Sequence, residues 1–150
     1  MIDWTALESP LSPQPRFHVE APDGRKDWPE QGKGGRQEAF IAAMHRLAPR
    51  VMVYHIANEG KRSPFLAKRS GIMAGVFDNQ VYWKHPLAAL VEFKGYSKAG
   101  RPGQLSDAQV EYGNRMVELG WHVGCFFDPM AAVQWLKDCG FPVMAARVAA

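Results

Sequence analysis

The chain has only two cysteines in 150 residues, Cys125 and Cys139, too few for a disulfide framework in a domain of this size. It has no apolar run near the roughly 20 residues that a membrane helix needs. Its first ten residues, MIDWTALESP, lack a basic start and an apolar core, so no secretory leader is expected. Neither a repeat nor a low-complexity tract occurs. Cysteine chemistry also fails on spacing: His122 and Cys125 stand three apart on one expected strand and point to opposite faces. Cys139 sits at a helix end without a base, and no residue spacing suits zinc. The expectation is a single soluble domain in a reducing compartment, the cytoplasm.

Aromatic and apolar residues are ample, with five Trp and eight Phe. The net charge of +3 is unevenly spread: residues 1–35 hold four Lys/Arg against six Asp/Glu, and 36–150 hold 14 against nine. From Asn58 to Arg101, eight basic residues face three acids. Such a body suits a polyanionic partner, although a solvated basic surface explains the charge equally well.

Residues 1–35 carry five of the 11 prolines and end in QGKGG, so they read as an extended arm ending in a flexible joint. Trp4, Phe17 and Trp28 could pack that arm on the body or on a second subunit. Residues 36–150 read as the main domain. Phe40, Ile41, Met44, Leu47 and Ala48 form a helical stripe ended by Pro49. VMVYHI is a strand, LAKRSGIMAG a candidate short helix, and 78–83 and 88–94 are two strands joined through KHPL. Ser106-x-x-Gln109 is a capping box opening a helix that runs to Gly120. WHVGCFF is a strand, and Asp128-Pro129 opens a last helix ending near Gly140. The fold class is α/β (α+β), a central mixed sheet flanked by helices.

Chemistry concentrates in LVEFKGYSKAGRPGQLSDAQ, residues 90–109. Side chains alternate along a strand, so Glu92 and Lys94 share one face and Val91 and Phe93 the other. An isolated Glu-x-Lys is usually a solvated ion pair of small net value. Here Asp78, the last residue of GIMAGVFD, opens the preceding strand, and in a hairpin it converges on Glu92. Two such carboxylates repel unless a cation separates them, and oxygen donors suit Mg²⁺ or Mn²⁺. For Asp78 alone, a turn or cap role competes. Gln109 shares a stripe with Tyr112, Gly113 and Met116 and therefore faces the sheet, a position compatible with its capping role. Glu38 flanks the stripe of the first helix, where Gln37 is more central, and competes with an exposed acid favoured by the helix dipole.

Asp, then Glu-x-Lys on the next strand, then Gln on a helix is the pattern of the PD-(D/E)XK nucleases. HIANEGKRS, GIMAGVFD, VEFK, LSDAQ and GWHVGCFFDPMAAVQWL together resemble the VRR-NUC branch over roughly residues 36–140. The resemblance implies a restriction-endonuclease-like core and metal-dependent hydrolysis of DNA, branched or otherwise structured, by a homodimer in a bacterial or phage-infected cell. It also implies that Asp78, Glu92 and the backbone carbonyl of Phe93 ligate Mg²⁺ or Mn²⁺. Lys94 would handle the attacking water, Gln109 would orient Lys94 or the water, and Glu38 would complete the site. His55 and Asn58 would lie near the substrate, and Lys61, Arg62, Lys68, Arg69, Lys98 and Arg101 would contact the backbone. One departure is Phe77, where the family has proline before the aspartate. A non-catalytic nucleic-acid-binding module of the same fold is the alternative, and an interaction protein with a merely solvated strand the third.

Overall fold

A computed structural model describes residues 12–56, 69 and 71–145. Five strands and three helices follow one another in these residues: β1 (His18–Val19), α1 (Arg36–Leu47), β2 (Met52–His55), β3 (Asn79–Tyr82), β4 (Ala88–Phe93), α2 (Asp107–Glu118), β5 (His122–Phe126) and α3 (Pro129–Cys139). The strands form one mixed sheet in the order β1-β5-β4-β3-β2. β2, β3 and β4 are antiparallel neighbours, whereas β4 with β5 and β5 with β1 are parallel. The molecule is a mixed α+β fold, as the order of sequence signals indicates. Among the described residues no helix is long and apolar enough to cross a membrane.

Local chemistry sets the boundaries. The α2 capping box forms on both sides, with Ser106 Oγ accepting the Gln109 N–H at 3.2 Å and Gln109 Oε1 accepting the Ser106 N–H at 3.0 Å. Asp128 caps α3 through the Met130 N–H at 3.0 Å, Pro129 takes the first position, and Gly140 ends the helix at φ 111°.

β4 runs down the middle with all six residues buried. Ala89, Val91 and Phe93 face α1 and α3, joining Phe40, Met44, Val81, Phe126 and Leu136 in the main core. Full burial of a Val or Phe contributes about 1.5–3 kcal/mol. Leu90 faces the other way and packs with Phe77 and Val123 beneath Tyr112 and Met116 of α2. Glu92 lies on this second face.

The described part of the arm, residues 12–35, lies against the body. β1 adds an edge strand, and Phe17 sits over Gly113, where a Cβ would come within 2.4 Å of its ring. Asn114 accepts the Arg16 N–H at 2.7 Å and donates to the Gln14 carbonyl at 2.9 Å. Glu20 accepts the N–H groups of Phe127 and Asp128 at 2.9 and 2.8 Å.

Arg36, fully buried at the start of α1, ties these parts together. Its guanidinium donates to the carbonyls of Trp28 (2.9 Å), Phe127 (2.7 Å) and Arg25 (2.6 Å) and to Asp23 (2.7 Å). The Trp28 ring lies 5.0 Å from the guanidinium. Burial pushes the Asp23 carboxyl up, but hydrogen bonds from Arg36 and Arg25 outweigh it and hold that carboxyl below its usual range. Removing the guanidinium takes a donor from three carbonyls and leaves Asp23 with Arg25 as its remaining cation. Arg36→Ala is expected to lose about 3–5 kcal/mol in urea unfolding; a loss under about 1 kcal/mol would show that the clamp is dispensable.

Candidate active site

The β3–β4 pairing builds the site. Asn79 stands opposite Val91, so the next step along the ladder brings Asp78 opposite Glu92. The Asp78 N–H donates to Glu92 Oε2 at 3.0 Å. Glu92 Oε1 accepts the Gln109 side-chain amide at 3.1 Å, and Lys94 Nζ lies 3.8 Å from the same oxygen. Lys94 Nζ donates to Gln109 Oε1 at 3.0 Å. Gln109 is therefore at once a helix cap and the bridge between carboxylate and ammonium.

The turn feeding Asp78 is pinned to the first turn of α2. Gly75 has φ 81°, and a Cβ there would lie 2.3 Å from the Ala108 carbonyl oxygen. Phe77, the residue standing before the aspartate, fills the core under α2 beside Phe17 and Tyr112. A large apolar side chain there anchors the turn by packing.

Glu92 is only 3% exposed. Burial first, then the Asp78 carboxylate, pushes its carboxyl up to about 7, against the lowering effect of the Asp78 N–H and Lys94. Glu30, from the arm, is a fourth charged member that the sequence reading did not single out. Its backbone abuts Gly95, and its carbonyl accepts the Gln37 N–H at 3.1 Å. Burial raises its carboxyl above the usual value, Lys94 opposes that, and Asp78 adds to it. Glu30, Asp78 and Glu92 thus gather around one Lys94, a local excess of negative charge.

Among the described residues, the other expected positions do not join this cluster. Glu38 is exposed on α1 and lines a groove with His55, Lys33 and Ile41, to which none of Asp78, Glu92, Lys94 and Gln109 contributes. The reason lies in helix phase: the inward position belongs to Gln37, which exchanges two hydrogen bonds with Asn79 at 2.5 and 2.6 Å on the α1 side of the sheet. Lys98 and Arg101 are exposed on a hairpin that follows Lys94, closed by Gly103 N–H to the Gly95 carbonyl at 2.8 Å. Lys26 lies along that hairpin, its side chain 3.4 Å from where a Cβ on Gly100 would stand. Phe93 packs its ring on Phe40 at 5.0 Å, which leaves its backbone between Glu92 and Lys94. Arg69 is exposed, and Asn58, Lys61, Arg62 and Lys68 lie outside the described residues, as does most of the candidate helix in LAKRSGIMAG.

A cleft of about 520 Å³ opens beside Lys94, walled by Val19, Leu105, Val110 and Cys125. Burial and then Glu92 push the Cys125 thiol up to about 12, so no thiolate acts there.

The donor set is all oxygen, and Asp78 raises the proton affinity of both Glu92 and Glu30, which fits a hard divalent cation. Among the described residues, no three His, Cys, Asp or Glu side chains stand close enough to cage a metal. Mg²⁺ commonly uses one or two carboxylates and keeps several waters, so the set matches that style of site. None of the protein-family models, curated proteins or solved structures compared with the chain matches it.

The buried carboxyl makes a stability prediction. Its folded value of about 7 lies above the ordinary 4.5, so between those values the folded chain binds more protons than the unfolded one. Stability from this group is therefore full at low pH and is lost as pH rises through that window, on the order of 3 kcal/mol. In divalent-free buffer the melting temperature should fall from about pH 5 to about pH 8, and Glu92→Gln should flatten the slope. An unchanged slope in that variant contradicts the assignment.

Proposed function

We propose that the chain is a divalent-metal-dependent endonuclease with a restriction-endonuclease-like core, hydrolysing phosphodiester bonds in branched or otherwise structured DNA. The observation that carries this reading is the Glu92–Gln109–Lys94 network at the end of β4, with Asp78 and Glu30 beside it. Asp78, Glu92 and the Phe93 carbonyl would hold Mg²⁺ or Mn²⁺, with Glu30 rather than Glu38 as the additional acid. The ion, when bound, supplies Lewis-acid stabilisation of charge on the phosphate and acidifies water.

The chain's own groups do the rest. Gln109 fixes the Lys94 ammonium by accepting one of its three donors, so that a donor remains for a water or a phosphoryl oxygen. Glu92 holds its negative charge against burial with the Gln109 amide, the Asp78 N–H, Lys94 and a cation as partners. Lys98, Arg101 and Lys26, on or along the hairpin that follows, would neutralise flanking phosphates without reading sequence. A homodimer would address two strands.

A second reading, a nucleic-acid-binding module without catalysis, is favoured by the use of both Glu92 oxygens in internal contacts. One assay separates the two. A four-way junction, a flap and a linear duplex are incubated with Mg²⁺, Mn²⁺, Ca²⁺ or EDTA. Cleavage is expected with Mg²⁺ or Mn²⁺, and binding alone in Ca²⁺. Glu92→Ala and Lys94→Ala should each cut about a hundredfold more slowly or worse while still binding. Equal cutting in EDTA rejects the mechanism, and binding without cleavage on every substrate favours the second reading.

A further inference from the structure

Among the described residues, the face of the sheet that carries Glu92 is covered only in part. By register, Met52, Tyr54, Gln80, Tyr82, Leu90, Glu92, Val123 and Cys125 share this face. Helix α2 closes over Leu90 and Val123. Over β2 and β3, Met52, Tyr54 and Tyr82 remain 64%, 42% and 38% exposed. The two tyrosine rings lie 6.1 Å apart with planes 26° from parallel, and Gln80 Oε1 accepts both hydroxyls, at 2.9 and 2.6 Å. This arrangement fixes two aromatic rings in similar orientations on a partly bare surface.

We infer that Tyr54 and Tyr82 form a stacking platform for unpaired bases of the strand whose phosphate lies at Glu92 and Lys94, so that the substrate is splayed or single-stranded beside the scissile bond. The inference rests on the nucleic-acid reading above and specifies its substrate. Three features select this occupant. First, the platform is continuous with the site: Asp78, Gln80 and Tyr82 follow one another on one face of the β3 edge of the site, so the tyrosines lie about 7–14 Å along the strand from Asp78. That span matches roughly two to four stacked nucleotides at about 3.4 Å each. Second, the charges do not oppose a polyanion: segments 50–56 and 78–86 carry no acid besides Asp78, and their cations, Arg50 and Lys84, lie over the Trp83 ring at the hairpin end. Third, three partly exposed side chains offer far less than the roughly 800 Å² per partner that a stable protein interface buries. Aromatic rings accept any base, since every base has a π-face.

The test measures binding in Ca²⁺ to a flap carrying 2-aminopurine in its unpaired arm and to a fully paired duplex. The proteins compared are wild type, Y54L/Y82L and Y54F/Y82F, with circular dichroism and light scattering on each. Wild type should quench the probe. The leucine pair should bind the flap about tenfold to a hundredfold more weakly without quenching, yet bind the duplex as wild type does. The phenylalanine pair, which keeps the rings and loses the hydroxyls, should retain both binding and quenching. A folded leucine variant that binds the flap like wild type overturns the platform while leaving the nuclease reading standing. So does one that loses flap and duplex binding equally, or one whose oligomeric state changes, which would make this an interface between copies. Failure of the wild-type chain to bind either DNA removes both readings.

Discussion

A carboxylate at the end of a fully buried strand is the constraint around which this molecule is arranged. Glu92 belongs to β4, whose six residues are shielded on both faces, and a charge there is costly unless donors or cations meet it. Each neighbouring element supplies one. The β3–β4 register delivers the Asp78 N–H, the α2 capping box delivers the Gln109 amide, and the strand's own alternation delivers Lys94. The close approach of Gly75 to Ala108 keeps the first two in step. These contacts leave the carboxyl poised near neutrality, where a small change in its surroundings decides whether it is ionised. Perturbed acids clustered beside an open cleft are a mark of functional sites, and here the perturbation has a named cause in burial and in Asp78.

A second buried charge holds the other side of the fold. Arg36 satisfies its guanidinium with the carbonyls of Arg25, Trp28 and Phe127 and with Asp23, fastening the arm to the end of β5 and to the start of α1. The same arm carries Glu30 to Gly95, one residue beyond Lys94. The clamp and the acidic cluster are therefore coupled through a short stretch of chain.

Much of this was legible locally. Strand alternation separated Glu92 and Lys94 from Val91 and Phe93. The Ser106-x-x-Gln109 signature identified a cap that doubles as the Lys94 partner, and Asp128-Pro129 with Gly140 bounded the last helix. What escaped was non-local. Residues 12–35 have no periodicity because their contacts are made one at a time, through Phe17, Glu20, Asp23 and Trp28, so nothing in the pattern marked Glu30 as a neighbour of Lys94. Glu38 entered the expected site only as what the family resemblance implies for the first helix. The helix phase nevertheless turned Gln37 inward, onto Asn79, and the sequence reading had already noted Gln37 as the more central residue. The uncovered tyrosines were also invisible, since VMVYHI and NQVYW read as ordinary strands until the extent of α2 is known.

The central claim is that Glu92 sits in a cluster of acids whose mutual repulsion a divalent cation relieves. Its side-chain carboxyl can be followed by carbon-13 NMR across a pH titration, with and without Mg²⁺, using Glu92→Gln to assign the resonance. A midpoint near 7 in the absence of divalent ions that falls by a unit or more on addition of Mg²⁺ is the expected result. An ordinary glutamate midpoint, or a raised one that Mg²⁺ leaves in place, would contradict the account.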